Sequence, residues 1–259
     1  MYEAIGRGLT LWARNIPLLS AITLTVWLPG NIAINYVASQ SDSDTVTPAD
    51  FWLPTGIETI FGPLCVGAVI YALDRRWQAR RVGYVESMRA GFRCWGRLFI
   101  TTLLADFLVG LSCLLLVVPG IILALRYSLI GMAVVLEGRS GDSARSRSTS
   151  LMRGRMWGVF GIVVVSYGFL LGLVGALYLA LAFVYESTPM TDFQYSIGET
   201  VVDSLLDVLS VPVLAMLFCI FVQASGRETE LEVVIEQIAE ETPHAPFDNS
   251  NPYHPPSSQ

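Results

Sequence analysis

Five charged residues of this sequence stand within or beside long apolar runs, where a charge is costly and therefore informative. Arg126 is the only basic residue inside such a run, Asp203 and Asp207 lie one helical turn apart in another, and Glu58 and Glu137 stand near run ends. A charge at the centre of a bilayer costs roughly 2.5–3.5 kcal/mol on insertion scales, so it usually faces protein or water. The sequence predicts an intramembrane polar cluster of these five residues.

Three roles are open to Arg126 within this cluster. We expect a buried ion pair with Asp207 or Asp203, because these acids lie at a similar depth below the membrane surface. The side chain could instead extend alone to the outer headgroups, or line a site for a substrate or an ion. A water-accessible cavity that reaches Arg126 would favour transport, whereas a closed ion pair in a dry bundle would favour a scaffold.

The residues needed for common catalytic centres are missing from the apolar part of the sequence. Both histidines, His244 and His254, stand in the C-terminal tail, and the sequence contains no lysine. Histidine-based metal sites, Ser–His catalysis, a Walker A motif and a Schiff base are therefore excluded. The four cysteines have no metal-ligand spacing and are interpreted as small apolar fillers. We predict no catalytic residue, no metal and no cofactor, and interpret the chain as a non-enzyme.

Long apolar runs dominate the composition. The chain is 53% hydrophobic and 15% charged, whereas soluble domains are typically about 25% charged. A helix needs about 20 apolar residues to cross the hydrocarbon core. The fourth run is short and contains Arg126, so it could be re-entrant, but a full crossing keeps the arginines after it on the same side as the others. The predicted spans are Ile16–Ala38, Thr55–Leu73, Leu98–Val118, Ile121–Leu136, Gly158–Tyr185 and Thr200–Gln223.

The distribution of arginine orients these spans. All sixteen basic residues are arginines, and fifteen fall in segments that the six spans place on one side of the membrane. The two long connections on the other side, Ser39–Pro54 and Glu186–Glu199, contain no basic residue. Because cytoplasmic loops carry an excess of arginine and lysine, the sequence predicts a protein of the bacterial inner membrane with both termini in the cytoplasm.

The inner arginines predict contact with anionic lipid headgroups, which attract basic segments close to a membrane. Nucleic acid is a poor alternative partner, because the net charge of the chain is −6 and its basic loops lie beside a membrane. The residues predicted to contact lipid are Arg75, Arg76, Arg80, Arg81, Arg89, Arg93, Arg145, Arg147, Arg153 and Arg155.

Three similar stretches indicate an internal repeat. An arginine-containing amphipathic stretch ends in a tryptophan before each outbound span, at Glu3–Trp12, Glu86–Trp95 and Ser148–Trp157. Tryptophan is enriched at membrane interfaces, so these three tryptophans are predicted interface anchors on interfacial helices. The expected fold is all-α, with six transmembrane helices in three hairpin-like repeats. Chance similarity between Trp-capped membrane helices is the alternative.

A stripe of small residues runs along the fifth span. Gly168, Gly172, Ala176 and Ala180 follow one another at four-residue spacing, which allows two helix backbones to approach closely. We expect this face to pack against a neighbouring helix of the same chain, and a dimer interface is the alternative. The oligomeric state remains open.

The C-terminal tail divides into two parts after the membrane domain, residues 1–225. Residues 226–241 contain apolar residues on one helical face and acids elsewhere, which predicts an acidic amphipathic helix in the cytoplasm. Residues 242–259 are rich in proline, serine and asparagine, which is typical of disorder. We expect the acidic tail to recruit a cytosolic protein partner.

One stretch of about 40 residues resembles a known family. Its motif residues are Pro119-Gly120-Ile121-Ile122, Leu125-Arg126-Tyr127-Ser128, Leu136-Glu137-Gly138-Arg139-Ser140-Gly141, Ala144, Ser148, Leu151, Gly154 and Trp157. This pattern is similar to the membrane domain attached to some glycerophosphoryl diester phosphodiesterases and to related six-span bacterial membrane proteins. The resemblance implies a six-span fold over roughly residues 1–225, with Arg126 and Glu137 at recurring motif positions. It implies no phosphodiesterase activity, because no soluble region is long enough for the catalytic barrel.

These observations favour a non-enzymatic integral membrane protein. We interpret it as a lipid-contacting scaffold or accessory module, whose arginines bind anionic headgroups. The alternative is a transporter or permease for a small solute or a lipid, with its polar site around Arg126.

Overall fold

The computed structural model describes residues 2–40, 48–187 and 191–226, and these ranges are helical apart from short connections. No strand occurs in them, so the all-α prediction is confirmed. The helices are α1 (Tyr2–Arg14), α2 (Ile16–Gln40), α3 (Pro48–Trp77), α4 (Tyr84–Leu115), α5 (Val117–Tyr127), α6 (Ile130–Leu136), α7 (Gly141–Met152), α8 (Met156–Ser187) and α9 (Asp192–Ser225).

Six segments of the described chain are long and apolar enough to cross a membrane, which agrees with the predicted number and order. They are Ile16–Val37, Trp52–Trp77, Tyr84–Leu115, Val117–Leu136, Met156–Ser187 and Phe193–Ser225. Each contains at least the roughly 20 residues that the hydrocarbon core requires. These properties support a membrane location for the chain.

The predicted fourth span is a broken helix rather than a continuous one. α5 ends at Tyr127 and α6 begins at Ile130. The hydroxyl of Ser148 on α7 donates to the Arg126 carbonyl at 2.6 Å and accepts from the Leu129 amide at 3.2 Å. A broken helix survives in a membrane only where its freed backbone groups find other partners. α7 therefore supplies at one residue the hydrogen bonds that the break removes.

The predicted surface helix Glu86–Trp95 is not a separate element, and this expectation is corrected. It forms the first part of α4, which packs lengthwise and antiparallel against α3. Gly91 permits this close approach, because a Cβ atom there would lie 2.9 Å from the Leu64 carbonyl oxygen. The Trp95 indole also donates to the Ile60 carbonyl at 2.7 Å. Small residues on one face of α4 thus select helix packing over a position flat on the membrane.

Two of the apolar residues that suggested a surface helix lie on a different face of α4. Val85 and Phe92 are 67% and 64% exposed, so they point away from α3. The buried face of the same helix carries Ser87, Gly91 and Cys94. Val85 and Phe92 thus form an outward apolar surface, whereas the shorter residues on the buried face determine which helix α4 contacts.

The other two predicted surface stretches lie in separate helices. The first corresponds to α1, whose Gly8 packs against the backbone of Met216 in α9. The third begins within α7, which ends at Met152, and a turn containing Gly154 at φ +75° precedes Trp157. The predicted hairpins α2–α3, α4–α5 and α8–α9 each pack, but α3 with α4 and α2 with α9 are the most extensive pairs. The threefold repeat stays a prediction.

The small-residue stripe of α8 faces no helix of the described chain, so its predicted packing within the chain is wrong. A Cβ atom added at Gly168 or Gly172 would meet nothing within 4 Å. Ala176 and Ala180 are exposed as well. The apolar residues around the stripe leave α8 the least buried of the candidate spans. A dimer interface on this face stays a prediction.

The best-packed part of the described chain lies where α2, α3 and α9 meet. Leu19, Ile70 and Phe218, one from each helix, are buried within a single apolar cluster. Trp77 at the end of α3 stands edge-on to Phe218, with ring centroids 6.3 Å apart. Gly226 follows α9 at φ +75°, a left-handed conformation that favours glycine. The rest of the predicted tail helix, 226–241, and the segment predicted to be disordered, 242–259, lie outside the described residues.

Candidate functional site: a polar seam and an arginine groove

The first group of polar residues is a seam between α2 and α9. Asn31 donates to the carboxylate of Asp207 at 2.8 Å, and Asn35 donates to the carboxylate of Asp203 at 3.1 Å. Both asparagines are buried. The two members of each pair are four residues apart, so each pair occupies one face of its helix. The two faces meet because α2 and α9 run antiparallel.

Two further hydrogen bonds extend this polar seam, one from α8 and one between α9 and α2. The Tyr178 hydroxyl donates to Asp203 at 2.6 Å, and the Ser196 hydroxyl donates to the Asn35 carbonyl at 3.0 Å. Asp203 therefore accepts from two helices at once. Hydrogen bonds of this kind hold transmembrane helices together where the apolar effect supplies no net attraction between them. This arrangement is typical of a contact that stabilises the packing of α2, α8 and α9.

The predicted ion pair between Arg126 and Asp207 or Asp203 is wrong. Arg126 lies on α5, which packs against α4, α7 and α8, whereas both acids lie on α9 and bind α2. The Arg126 side chain is exposed and forms no salt bridge within the described ranges. A similar depth along two spans does not determine which helices are neighbours.

Glu58 lies apart from Arg126 but within electrostatic reach of Asp207 in the polar seam. Together with Asp106 it lines a cavity of about 280 Å³ between α3 and α4, where Thr59 and Thr102 add two hydroxyl groups. Both carboxylates are exposed. The sequence places Asp106 deeper in its span than Arg126 lies in its own, which argues against an ion pair between them. The structure places Asp106 in the same cavity as Glu58. The arrangement could attract a cation.

Glu137 binds arginines rather than joining an intramembrane cluster. Its carboxylate accepts from Arg139 Nε at 2.7 Å and from Arg147 Nε at 3.0 Å. Burial raises the pKa of the Glu137 carboxyl, but hydrogen bonds and positive charge from Arg147 and Arg139 outweigh burial and bring this pKa below its ordinary value. Glu137 thus links α7 to the connection after α6. Of the five predicted cluster residues, Arg126 and Glu137 therefore lie apart from the three acids Glu58, Asp203 and Asp207.

Three arginines of α4 line a basic concave surface, which we call the arginine groove. Arg89, Arg93 and Arg97 follow one another at four-residue spacing and line a cleft of about 260 Å³ with Tyr71, Glu86 and Val135. Arg97 donates to the Gly138 carbonyl at 3.1 Å. The Tyr71 hydroxyl donates to Glu86 at 2.8 Å and accepts from Arg75 Nε at 3.0 Å.

The remaining arginines predicted to contact lipid divide into two sets. Several are engaged by other groups of the chain: Arg75 with Tyr71, Arg76 with the Val82 carbonyl, Arg145 with Asp142 and Arg147 with Glu137. The others are exposed in the connections around α4 and α7: Arg80, Arg81, Arg153 and Arg155. The second set and the arginine groove are therefore the surfaces best placed to meet an external anion.

The three predicted tryptophan anchors differ in their surroundings. Trp157 is 86% exposed at the start of α8. Trp95 is tied to Ile60 and stacks on Phe99 with ring centroids 5.6 Å apart. The Trp12 indole nitrogen is buried and has no acceptor in the described part of the chain. A position at the headgroup level stays a prediction for all three.

Sequence reasoning missed the partners of the acids. Asn31, Asn35 and Tyr178 complete the polar seam, and Asp106 completes the Glu58 cavity. A usable signal was present, because Asn31 and Asn35 repeat in the first span the four-residue spacing of Asp203 and Asp207 in the last. Two such pairs in otherwise apolar helices favour a direct contact.

Comparison with known proteins places the chain in a family. Among the described residues, no group of three or more His, Cys, Asp or Glu side chains could hold a metal ion. No curated protein and no solved structure matches the chain significantly. Residues 64–225 match the family model described as a domain of unknown function, DUF7847. Because this match covers more than half of the 259 residues, the chain belongs to that family.

Proposed function

We propose that this member of the DUF7847 family is a non-enzymatic membrane scaffold that holds anionic lipid headgroups on its cytoplasmic side. The observation that carries the proposal is the excess of arginine over available acid in the segments between spans. Of the described arginines, Arg80, Arg81, Arg153 and Arg155 are exposed in these segments, and Arg89 and Arg93 line an open groove in the first turns of α4, next to the connection. Basic residues beside a membrane gain about 1 kcal/mol each from an anionic surface.

The internal contacts support a scaffold over a channel through the bundle. The intramembrane acids Asp203 and Asp207 are engaged by amide and hydroxyl donors of neighbouring helices. Arg126 lies on the outside of the bundle, so it lines no central path there. We further propose that the acidic tail recruits a cytosolic protein, which would make the membrane domain its anchor.

Lipid preference tests this function. The purified chain is reconstituted into nanodiscs that contain equal amounts of phosphatidylglycerol and phosphatidylcholine, and the lipids that co-purify after mild detergent extraction are quantified by mass spectrometry. We expect phosphatidylglycerol to be enriched at least about threefold, and raised salt to reduce this enrichment as it screens exposed charges. Equal retention of both lipids at low salt would contradict the proposal.

Transport of a small cation is the second candidate, and the Glu58–Asp106 cavity is the observation that favours it. Two carboxylates and two hydroxyl groups line this opening between α3 and α4. Flux into proteoliposomes distinguishes the two functions. A cation flux that Glu58→Gln and Asp106→Asn both abolish would favour transport, whereas a flux equal to that of empty liposomes would favour the scaffold.

A further inference from the structure

We propose that the arginine groove of α4 is a specific site for the phosphate of an anionic phospholipid headgroup. This inference rests on the proposed function and assigns it to one place. Arg89, Arg93 and Arg97 stand on one face of α4, about 6 Å apart along the axis at each step. Like charges at this spacing destabilise a helix, so a bound anion would relieve their repulsion.

The acids near the arginine groove already have partners. Glu86 accepts the hydrogen bond of Tyr71, whose oxygen in turn accepts from Arg75. Glu137 binds Arg139 and Arg147. Within the described ranges, no hydrogen bond or salt bridge engages the guanidinium groups of Arg89 and Arg93. These two groups therefore retain donors for an external acceptor.

The arginine groove is held in shape by the packing beneath it. Gly91 and Gly67 bring α4 and α3 into close contact, and Cys94 on the floor of the groove is buried. Arg97 is fixed by the Gly138 carbonyl, and Val135 of α6 forms the opposite wall. The backbone and Arg97 are therefore preorganised, so an anion has only the side chains of Arg89 and Arg93 to order, which favours specific binding over a diffuse attraction.

The chemistry of the arginine groove fits a phosphate, and its surroundings fit a lipid. The guanidinium fork matches phosphate oxygens in two-point hydrogen bonds, which a lysine ammonium does not provide. The adjacent face of α4 exposes Val85, Phe92 and Ile100, which form an apolar surface that acyl chains can contact. A phosphodiester with acyl chains can therefore contact the arginines and this apolar face together, whereas a free phosphate reaches only the arginines.

The test compares two double variants with the same change in charge. Arg89→Gln/Arg93→Gln removes two members of the arginine groove, and Arg14→Gln/Arg126→Gln removes two exposed arginines that lie outside the arginine groove and outside the set predicted to contact lipid. Delipidated protein in mild detergent is titrated with phosphatidylglycerol and with phosphatidylcholine of matched acyl chains, and bound lipid is counted by native mass spectrometry. Glycerol 3-phosphate is added in a separate arm as a competitor without acyl chains.

We expect the first variant to weaken phosphatidylglycerol binding about tenfold or more, since charge-assisted hydrogen bonds are lost. The second variant should stay within about twofold of the unmodified chain, and excess glycerol 3-phosphate should displace little lipid. An equal loss in both variants would overturn the groove site and leave the proposed function standing. Full displacement by glycerol 3-phosphate would identify a site for soluble phosphoesters instead. No preference for phosphatidylglycerol in the unmodified chain would refute the proposed function itself.

A second measurement keeps the site testable if the variants unfold. The unmodified chain is reconstituted with a phosphatidylglycerol that carries a photoreactive group next to its headgroup, and crosslinked peptides are identified by mass spectrometry. The proposal predicts crosslinks within residues 84–97 of α4. Crosslinks confined to other segments would overturn it.

Discussion

The side-chain amide of Asn31 on α2 donates a 2.8 Å hydrogen bond to the carboxylate of Asp207 on α9, across 176 residues of sequence. This contact joins the first candidate span to the last. Asn35 and Asp203 repeat it one turn along both helices. Because an amide can satisfy a carboxylate without a second charge, the polar seam holds the bundle together without the arginine that the sequence suggested.

Removing either member of the Asn31–Asp207 pair should destabilise the protein. We expect Asn31→Ala and Asp207→Ala each to lower the free energy of unfolding in detergent by about 0.5–2 kcal/mol, the range of interhelical hydrogen bonds in membranes. Because both variants remove one contact, the double variant should lose less than the sum of the two. Thermal unfolding followed by circular dichroism measures the three variants.

Arg126→Ala is the control for this cycle, since its side chain is exposed and lies on α5. Its effect should add independently to that of Asp207→Ala. A coupling between Arg126 and Asp207 larger than that between Asn31 and Asp207 would restore the ion pair and contradict the polar seam.

Gly91 should tolerate no side chain, because it lies at the contact between α4 and α3. A Cβ atom there would lie 2.9 Å from the Leu64 carbonyl oxygen and 3.1 Å from the Ala68 amide nitrogen. We expect Gly91→Ala to destabilise the protein by about 1–3 kcal/mol through overpacking, measured as a lower unfolding temperature in detergent.

Gly96 on the same helix is the matched position for this substitution. A Cβ atom at Gly96 meets nothing within 4 Å, so Gly96→Ala should be neutral or stabilising by up to about 1 kcal/mol, as alanine has the higher helix propensity. Equal destabilisation by both substitutions would show that close α3–α4 packing is not the cause.

Ser148 should matter because its hydroxyl bridges the break between α5 and α6. We expect Ser148→Ala to cost about 1–3 kcal/mol, because the Arg126 carbonyl and the Leu129 amide both lose their partner. Ser150→Ala serves as the comparison, since the Ser150 hydroxyl is exposed and bonds only within its own turn. Hydrogen exchange at Leu129 should rise in the first variant alone. Unchanged exchange at Leu129 would refute the bridging role.

Glu137 should make the protein sensitive to acid. Its pKa is lowered in the folded chain by Arg147 and Arg139 despite burial. The stability it contributes is therefore present above the ordinary carboxyl pKa, and is lost as pH falls through the lowered folded value. Between about pH 6 and pH 3.5, Glu137→Gln should lose less stability than the unmodified chain. Asp142→Asn, at an exposed carboxylate, should not reduce the loss, and an equal reduction would contradict this role.

The spans could be predicted from the sequence because hydropathy is a local property. Six apolar segments were expected and six are present, with ends that differ where a helix extends past its apolar run, as α4 does from Tyr84. The break at Ser128 could not be predicted in this way. It depends on Ser148, which belongs to another helix.

Contacts between spans were beyond what spacing alone could predict. Arg126 and Asp207 were assigned similar depths, but depth leaves open which helices are neighbours. The small-residue stripe at Gly168 and Gly172 predicted close packing, and the surface it marks is unoccupied within the described chain. Small residues at Gly67 and Gly91 do mediate such packing. The likeness of Pro119–Trp157 to the membrane domain of glycerophosphoryl diester phosphodiesterases stays a prediction.

The side of the membrane that carries the arginines is the central claim, and site-directed labelling tests it most directly. Ser41→Cys and Ser146→Cys introduce thiols into the first long connection and into exposed helix α7, and intact cells are treated with a membrane-impermeant maleimide. We predict that Ser41→Cys is labelled in intact cells and that Ser146→Cys is labelled only after permeabilisation. Labelling of Ser146→Cys from outside, or protection of Ser41→Cys until permeabilisation, would contradict the proposed orientation and the lipid contacts that depend on it.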